Sequence, residues 1–211
     1  NDRPRSSAVN GYIIEYGGPD GYTLANPAPS GEMSIDGPGG IIEQLQLMDQ
    51  MSLVRVTDTL DAKWELNPGS NPTRFRARFS PINIQFGLMP GMDACNAGSF
   101  IPLMSAPASN GLWSSSSAQS VDISGAIAPG QPAQLAILAS DGTLWCSSQA
   151  LNSDGADHML TWVDPNDPDH YVVSFELSAS TGSYAGDFNE FVIELNNVLD
   201  GPADAIPEPT T

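Results

Sequence analysis

The sequence predicts a mainly β fold, β-sandwich or jelly-roll-like, with one short amphipathic helix near residues 40–50. Three observations carry that expectation. Apolar residues recur in short runs, several alternating with polar ones at the two-residue period of a strand. Turn formers separate the runs, with 20 Gly and 18 Pro among 211 residues. Only one stretch has helical spacing, and many short strands close most simply as two packed sheets with Greek-key connections.

Residues 1–11 read as a polar lead-in, 12–200 as a single β-rich domain, and 201–211 as a tail. Tyr12, Ile13, Ile14 and Tyr16 make a first strand, stopped by Gly17, Gly18 and Pro19, and the stretch from Gly21 to Pro38 is turn-rich. After Gly40, Ile41, Leu45 and Met48 fall on one helical face with Ile42 beside them, so a helix of about ten residues lays an apolar stripe on a sheet or barrel mouth. Leu53, Val54 and Val56 give a strand, an acidic turn follows at Asp58 and Asp61, and Trp64 comes next. From Thr73 the chain alternates, with Phe75, Ala77 and Phe79 on one side and Arg74, Arg76 and Arg78 on the other. Ile82, Ile84 and Phe86 continue as a strand. Ala133 to Leu138 is a buried strand, and Ser140-Asp141-Gly142 turns it into Leu144, Trp145 and Cys146. His158 to Val163 and Tyr171 to Leu177 flank an Asp/Pro-rich turn, and Asp187 to Leu195 supplies a last strand in which Phe188 breaks the alternation.

Seven basic against 25 acidic residues give a formal charge of −18, which repels nucleic acid and anionic membranes. No apolar run reaches the 18 or more residues that span a bilayer. No signal-peptide pattern stands at Asn1, so the chain reads as mature or trimmed, without a transmembrane segment. Cys95 and Cys146 lack metal-ligand spacing and read, in an exported protein, as one disulfide. The three arginines are either a face paired with acidic neighbours or an assembly surface for an acidic polymer or another copy.

Hard cations take six to eight oxygens, and Ca²⁺ is the cofactor this chain suggests. Asp187, Asn189 and Glu190 place oxygens at the entrance to a strand, Glu176 projects from the neighbouring strand, and Asp154 and Asp157 lie in a loop able to cap the same end. Asp164, Asn166, Asp167 and Asp169 resemble a second ligand ladder, but Pro165 and Pro168 make them turn formers first. The serines of Gly111 to Ser117 lack a nucleophile elbow, and neither His158 nor His170 is placed as a base. Catalytic residues are therefore not assigned. Trp64, Trp113, Trp145 and Trp162 serve a sugar-binding module if two of them share an exposed groove.

Residues 132–198, with AQLAILASDGTLW, SDGADHMLTW, YVVSFEL and GDFNEFVIEL, resemble the DUF4114 type of bacterial extracellular domain. That resemblance implies calcium association through Phe175 and Glu176 in one element and Asp187, Phe188, Asn189 and Glu190 in another. Leu177, Ala185 and Glu190 depart from its pattern. Ile206 to Thr211, with Pro207, Glu208 and Pro209, resembles the start of a PEP-CTERM sorting tail, which implies export by Gram-negative bacteria. The expectation is a noncatalytic structural or adhesive protein of the cell surface or biofilm matrix, self-assembling, filament-like and calcium-stabilised. Its partners are copies of itself or extracellular polysaccharide. A carbohydrate-binding module is the alternative, and a secreted hydrolase ranks third.

Overall fold

The computed structural model describes residues 33–56, 62–107, 109–177 and 187–200. The lead-in, the strand expected at Tyr12 to Tyr16, the Asp58 and Asp61 turn, residues 182–186 and the tail over 201–211 lie outside the described residues. In chain order the elements are α1 (Ile41–Asp49), β1 (Val54–Arg55), β2 (Trp64–Leu66), β3 (Pro72–Arg78), β4 (Ile84–Pro90), β5 (Ile101–Ser105), β6 (Gly111–Leu112) and β7 (Ser120–Asp122). After these come β8 (Ala133–Ala139), β9 (Leu144–Cys146), β10 (Met159–Asp164), β11 (Asp167–Phe175), β12 (Phe191–Asn196) and β13 (Val198–Asp200).

These strands form two sheets, and every pairing is antiparallel. One runs β1-β10-β11-β12-β3-β6 with β7 also on β3, and the other runs β13-β2-β8-β4-β5 with β9 on β8. The chain changes sheet between β12 and β13 through Asn197 alone. Its φ of 57° lies in the left-handed region that Asn tolerates, and its side chain donates to the Pro68 and Ser70 carbonyls. A mainly β sandwich with one short helix is thus what the described residues form.

Between the sheets lies the main core, in which Trp64, Phe75, Phe86, Phe175, Phe191 and Ile193 are fully or nearly fully buried. A second cluster covers the opposite face of the first sheet, where Ile41, Ile42 and Leu45 of α1 meet Ala77, Trp162, Val172 and Val192. The predicted apolar stripe thus does cover a sheet. Glu43 accepts the Gly39 amide at the start of α1, and Gln50, at φ 56°, ends it. On the outer face of the second sheet, Met89, Ala136 and Cys146 form a small cluster over the Cys95–Cys146 disulfide. The expected bridge is present. It closes a sequence separation of 51 residues, worth about 4 kcal/mol in the loop-entropy model.

The alternation in β3 is interrupted. Val192 pairs with Ala77 but Ile193 pairs with Phe75, so Arg76 is an extra residue, a β-bulge. Phe75 therefore packs between the sheets, whereas Ala77 and Phe79 pack under α1, a correction to the single face expected for all three. The arginines are corrected too. Arg76 is 0% exposed, donating to Glu194, Asp49 and the Trp113 carbonyl. Arg78 is buried, donating to the carbonyls of Pro107 and Ile82, and Arg74 donates to Glu194 Oε1 at 2.7 Å. With α1 lying over this face and Glu194 on the adjacent strand, Arg74 and Arg76 share Glu194 while Arg78 is held by backbone carbonyls, so the three do not form a solvent-facing assembly stripe.

Candidate metal centre

Phe175 and Phe191 are the last paired residues of β11 and β12, and both are fully buried. Just beyond them, Glu176 and Glu190 flank the open end of this strand pair, and Asp187 stands three residues earlier. Their burial is a by-product of local bonding. The Glu176 amide donates to the His158 carbonyl at 3.0 Å, and the Phe188 amide donates to Glu176 Oε2 at 3.1 Å. The Phe79 amide donates to the Asn189 carbonyl at 3.1 Å, and the Ile35 amide to the Asp187 carbonyl at 2.9 Å. Phe188 reaches φ 47°, the left-handed turn that ends the expected alternation.

Glu176, Asp187 and Glu190 each offer one oxygen, and these oxygens lie within 4.8 Å of one another. Two ligands each about 2.4 Å from one hard cation are at most about 4.8 Å apart, so a single ion fits. Glu176 is 1% exposed. The Glu190 carboxyl is pushed up to about 9 by burial first, then by its hydrogen bond to Glu176 and the charges of Glu176 and Asp187. Like charges facing each other at a strand end are destabilising, and a divalent cation removes that repulsion. Two further buried oxygens, Asn189 Oδ1 and Glu190 Oε2, accept no hydrogen bond among the described residues. A buried acceptor without a donor is what a cation satisfies. Glu190 also lines a cleft of about 270 Å³ with Ser80, Asp141, Thr143 and Leu177, which opens the cluster to solvent.

Of the six ligands expected, Glu176, Asp187 and Glu190 converge. Asn189 adjoins them, its amide donating to Asp187 Oδ2 at 3.0 Å and to the Met33 carbonyl at 2.7 Å. Asp154 and Asp157 do not join, which corrects the loop-capping expectation. Asp154 is exposed, accepting the Ala156 amide and facing His158 Nε2 at 3.0 Å, and Asp157 accepts the Met159 amide at 3.1 Å. In each, one carboxylate oxygen closes a tight turn instead. Asp164 is engaged in the same way by Asn166 and the Ser52 amide, so the start of the second ladder is a turn, while Asp167 and Asp169 lie on β11. His170 is half-buried beside Glu194 at 3.2 Å.

The sequence reading missed His158. Fully buried and stacked on Trp145 at 3.8 Å between ring centres, it holds the Glu176 carbonyl through Nδ1 at 2.9 Å. The signal was its place opposite Glu176 across the hairpin. The tryptophans form no shared groove: Trp64, Trp113 and Trp162 are buried, and half-buried Trp145 donates its Nε1–H to the Leu177 carbonyl. Among the described residues no helix is long and apolar enough to cross a membrane. Fold and site define a disulfide-bonded β-sandwich with an acidic cluster able to chelate a divalent cation. Comparison with protein-family models, curated proteins and solved structures finds no match.

Proposed function

We propose that the chain is a noncatalytic scaffold domain of the bacterial cell surface or extracellular matrix, in which Ca²⁺ binds Glu176, Asp187 and Glu190 and stiffens one end of the sandwich. The observation that carries the reading is the convergence of those three carboxylates where β11 and β12 end. Support for export comes from the disulfide, which belongs to oxidising compartments, and from the PEP-type residues Pro207, Glu208 and Pro209. The resemblance to DUF4114 domains implies calcium association through elements that include Glu176, Asp187 and Glu190. Contacts with other copies, or with matrix polysaccharide, then use surfaces other than Arg76 and Arg78, which are internal.

The test is a thermal melt in EDTA followed by added Ca²⁺, with Mg²⁺ as the control for a smaller ion. At 100 times the dissociation constant a folded-state ligand adds about 2.7 kcal/mol, a rise of several degrees in Tm for a domain of this size. Glu190→Gln abolishes the rise while leaving the melt in EDTA no lower. The absence of any reversible shift in the unmodified protein rejects the cation site.

A further inference from the structure

A second cleft, of about 460 Å³, opens where β4 begins and β5 and β8 end, and among the described residues no carboxylate lines it. Its position follows from strand register. Leu138 pairs with Gln85, and Gln85 pairs with Ser105, so these three residues make one row across the sheet. The next row, Ile137, Phe86 and Met104, is buried in the main core, and successive residues point to opposite faces. The Leu138, Gln85 and Ser105 row therefore faces outward. Asn83 and Ser140, joined by a hydrogen bond from the Ser140 amide to the Asn83 carbonyl at 2.9 Å, close the end of the cleft.

Asn83, Gln85, Ser105 and Ser140 are all exposed, and no hydrogen bond occupies their side chains among the described residues. Leu138 and Ala106 add apolar surface beside them. In a chain with 25 acidic residues and a charge of −18, an uncharged wall of amides and hydroxyls is a distinct chemical environment. Each amide offers both a donor and an acceptor, and each hydroxyl does the same. A ligand matched to this wall carries no charge, has neighbouring hydroxyls along one edge and C–H groups on its face. Those are the features of a pyranose ring. An anionic polymer lacks a cationic partner here and meets the repulsion of the whole molecule.

We propose that this cleft binds a neutral, hydroxyl-rich oligosaccharide segment, read by Gln85, Asn83 and Ser105 and seated on Leu138. None of Glu176, Asp187 and Glu190 lines this cleft, so binding persists in EDTA.

The experiment titrates the disulfide-bonded protein with cellohexaose and maltohexaose as neutral probes, hexagalacturonate as an anionic probe, and an uncharged Ser/Gly hexapeptide, each with and without EDTA. Saturable binding of a neutral hexaose, weakened at least tenfold by the Gln85→Ala/Ser105→Ala double variant whose melt is unchanged, supports the proposal. Asn83→Ala, at the turn, gives a second variant if the first loses the fold. Failure of both neutral hexaoses to bind overturns it. So does equal binding by the variants, preference for the anionic probe or the peptide, or loss of binding in EDTA. The last outcome would move sugar recognition to the cation site, while a melt indifferent to Ca²⁺ with intact hexaose binding would refute the scaffold reading alone.

Discussion

Arg76 shows how one side chain can reverse the meaning of a sequence pattern. A guanidinium at 0% exposure is tolerated because Glu194, Asp49 and the Trp113 carbonyl take its donors, and Arg74 and His170 share the same glutamate. Removing one member of such a network leaves the others charged and dry. Arg76→Ala should therefore lower stability by about 3–5 kcal/mol in chemical denaturation, whereas Arg74→Ala, at a half-exposed pair, should cost about 1 kcal/mol or less. The acid limb of the stability curve reports the same network. Burial alone would raise the Glu194 carboxyl, but the His170 hydrogen bond and the charges of Arg76, His170 and Arg74 outweigh it and hold it at about 2, against an ordinary 4.5. A carboxyl depressed in the folded state contributes stability fully above its unfolded value, and that contribution is lost as the pH falls from about 4.5 towards 2. Urea titrations between those limits should show a steeper loss for the natural chain than for Glu194→Gln.

Among elements, β4 carries a constraint that alternation cannot reveal. A methyl group on Gly87 would stand 2.2 Å from the Ile101 carbonyl oxygen and 2.7 Å from the Phe100 ring, and the β4–β5 register shifts at this residue. Backbone cannot yield as a side-chain tip can. Gly87→Ala should destabilise by about 1–3 kcal/mol, seen as a lower Tm with faster amide exchange in β5. Other elements were open to reading from the sequence. The helical stripe of α1, the apolar run of β8 and the hairpin of β10 and β11 each follow from a local period bounded by turn formers. The bulge at Arg76 does not, because its partner Glu194 lies 118 residues away and only pairing between strands fixes the count. The candidate site divides along the same line. Glu176, Asp187 and Glu190 could be anticipated because they sit at the ends of successive strands. Asp154 and Asp157 lie outside that group because a turn two residues long captures an aspartate more readily than a distant ion does.

For the described residues as a whole, two layers of core on either side of the first sheet and a disulfide outside the second make a frame that carries the acidic cluster and the neutral cleft. Charge is partitioned as sharply as hydrophobicity. Of the seven basic residues, Arg3 and Arg5 lie outside the described residues. Arg76 and Arg78 are interior, Arg74 leans on Glu194, Lys63 is tied to Glu65 at 2.8 Å, and Arg55, the one left at the surface, lies over the Trp162 ring. The described exterior is in consequence almost a polyanion. In dilute electrolyte two such particles meet as like-charged colloids, each inside its own counterion cloud, and their mutual osmotic interaction is repulsive. Packing them close together, as any matrix demands, becomes a matter of ionic strength and of dissolved divalent ions before it is one of shape.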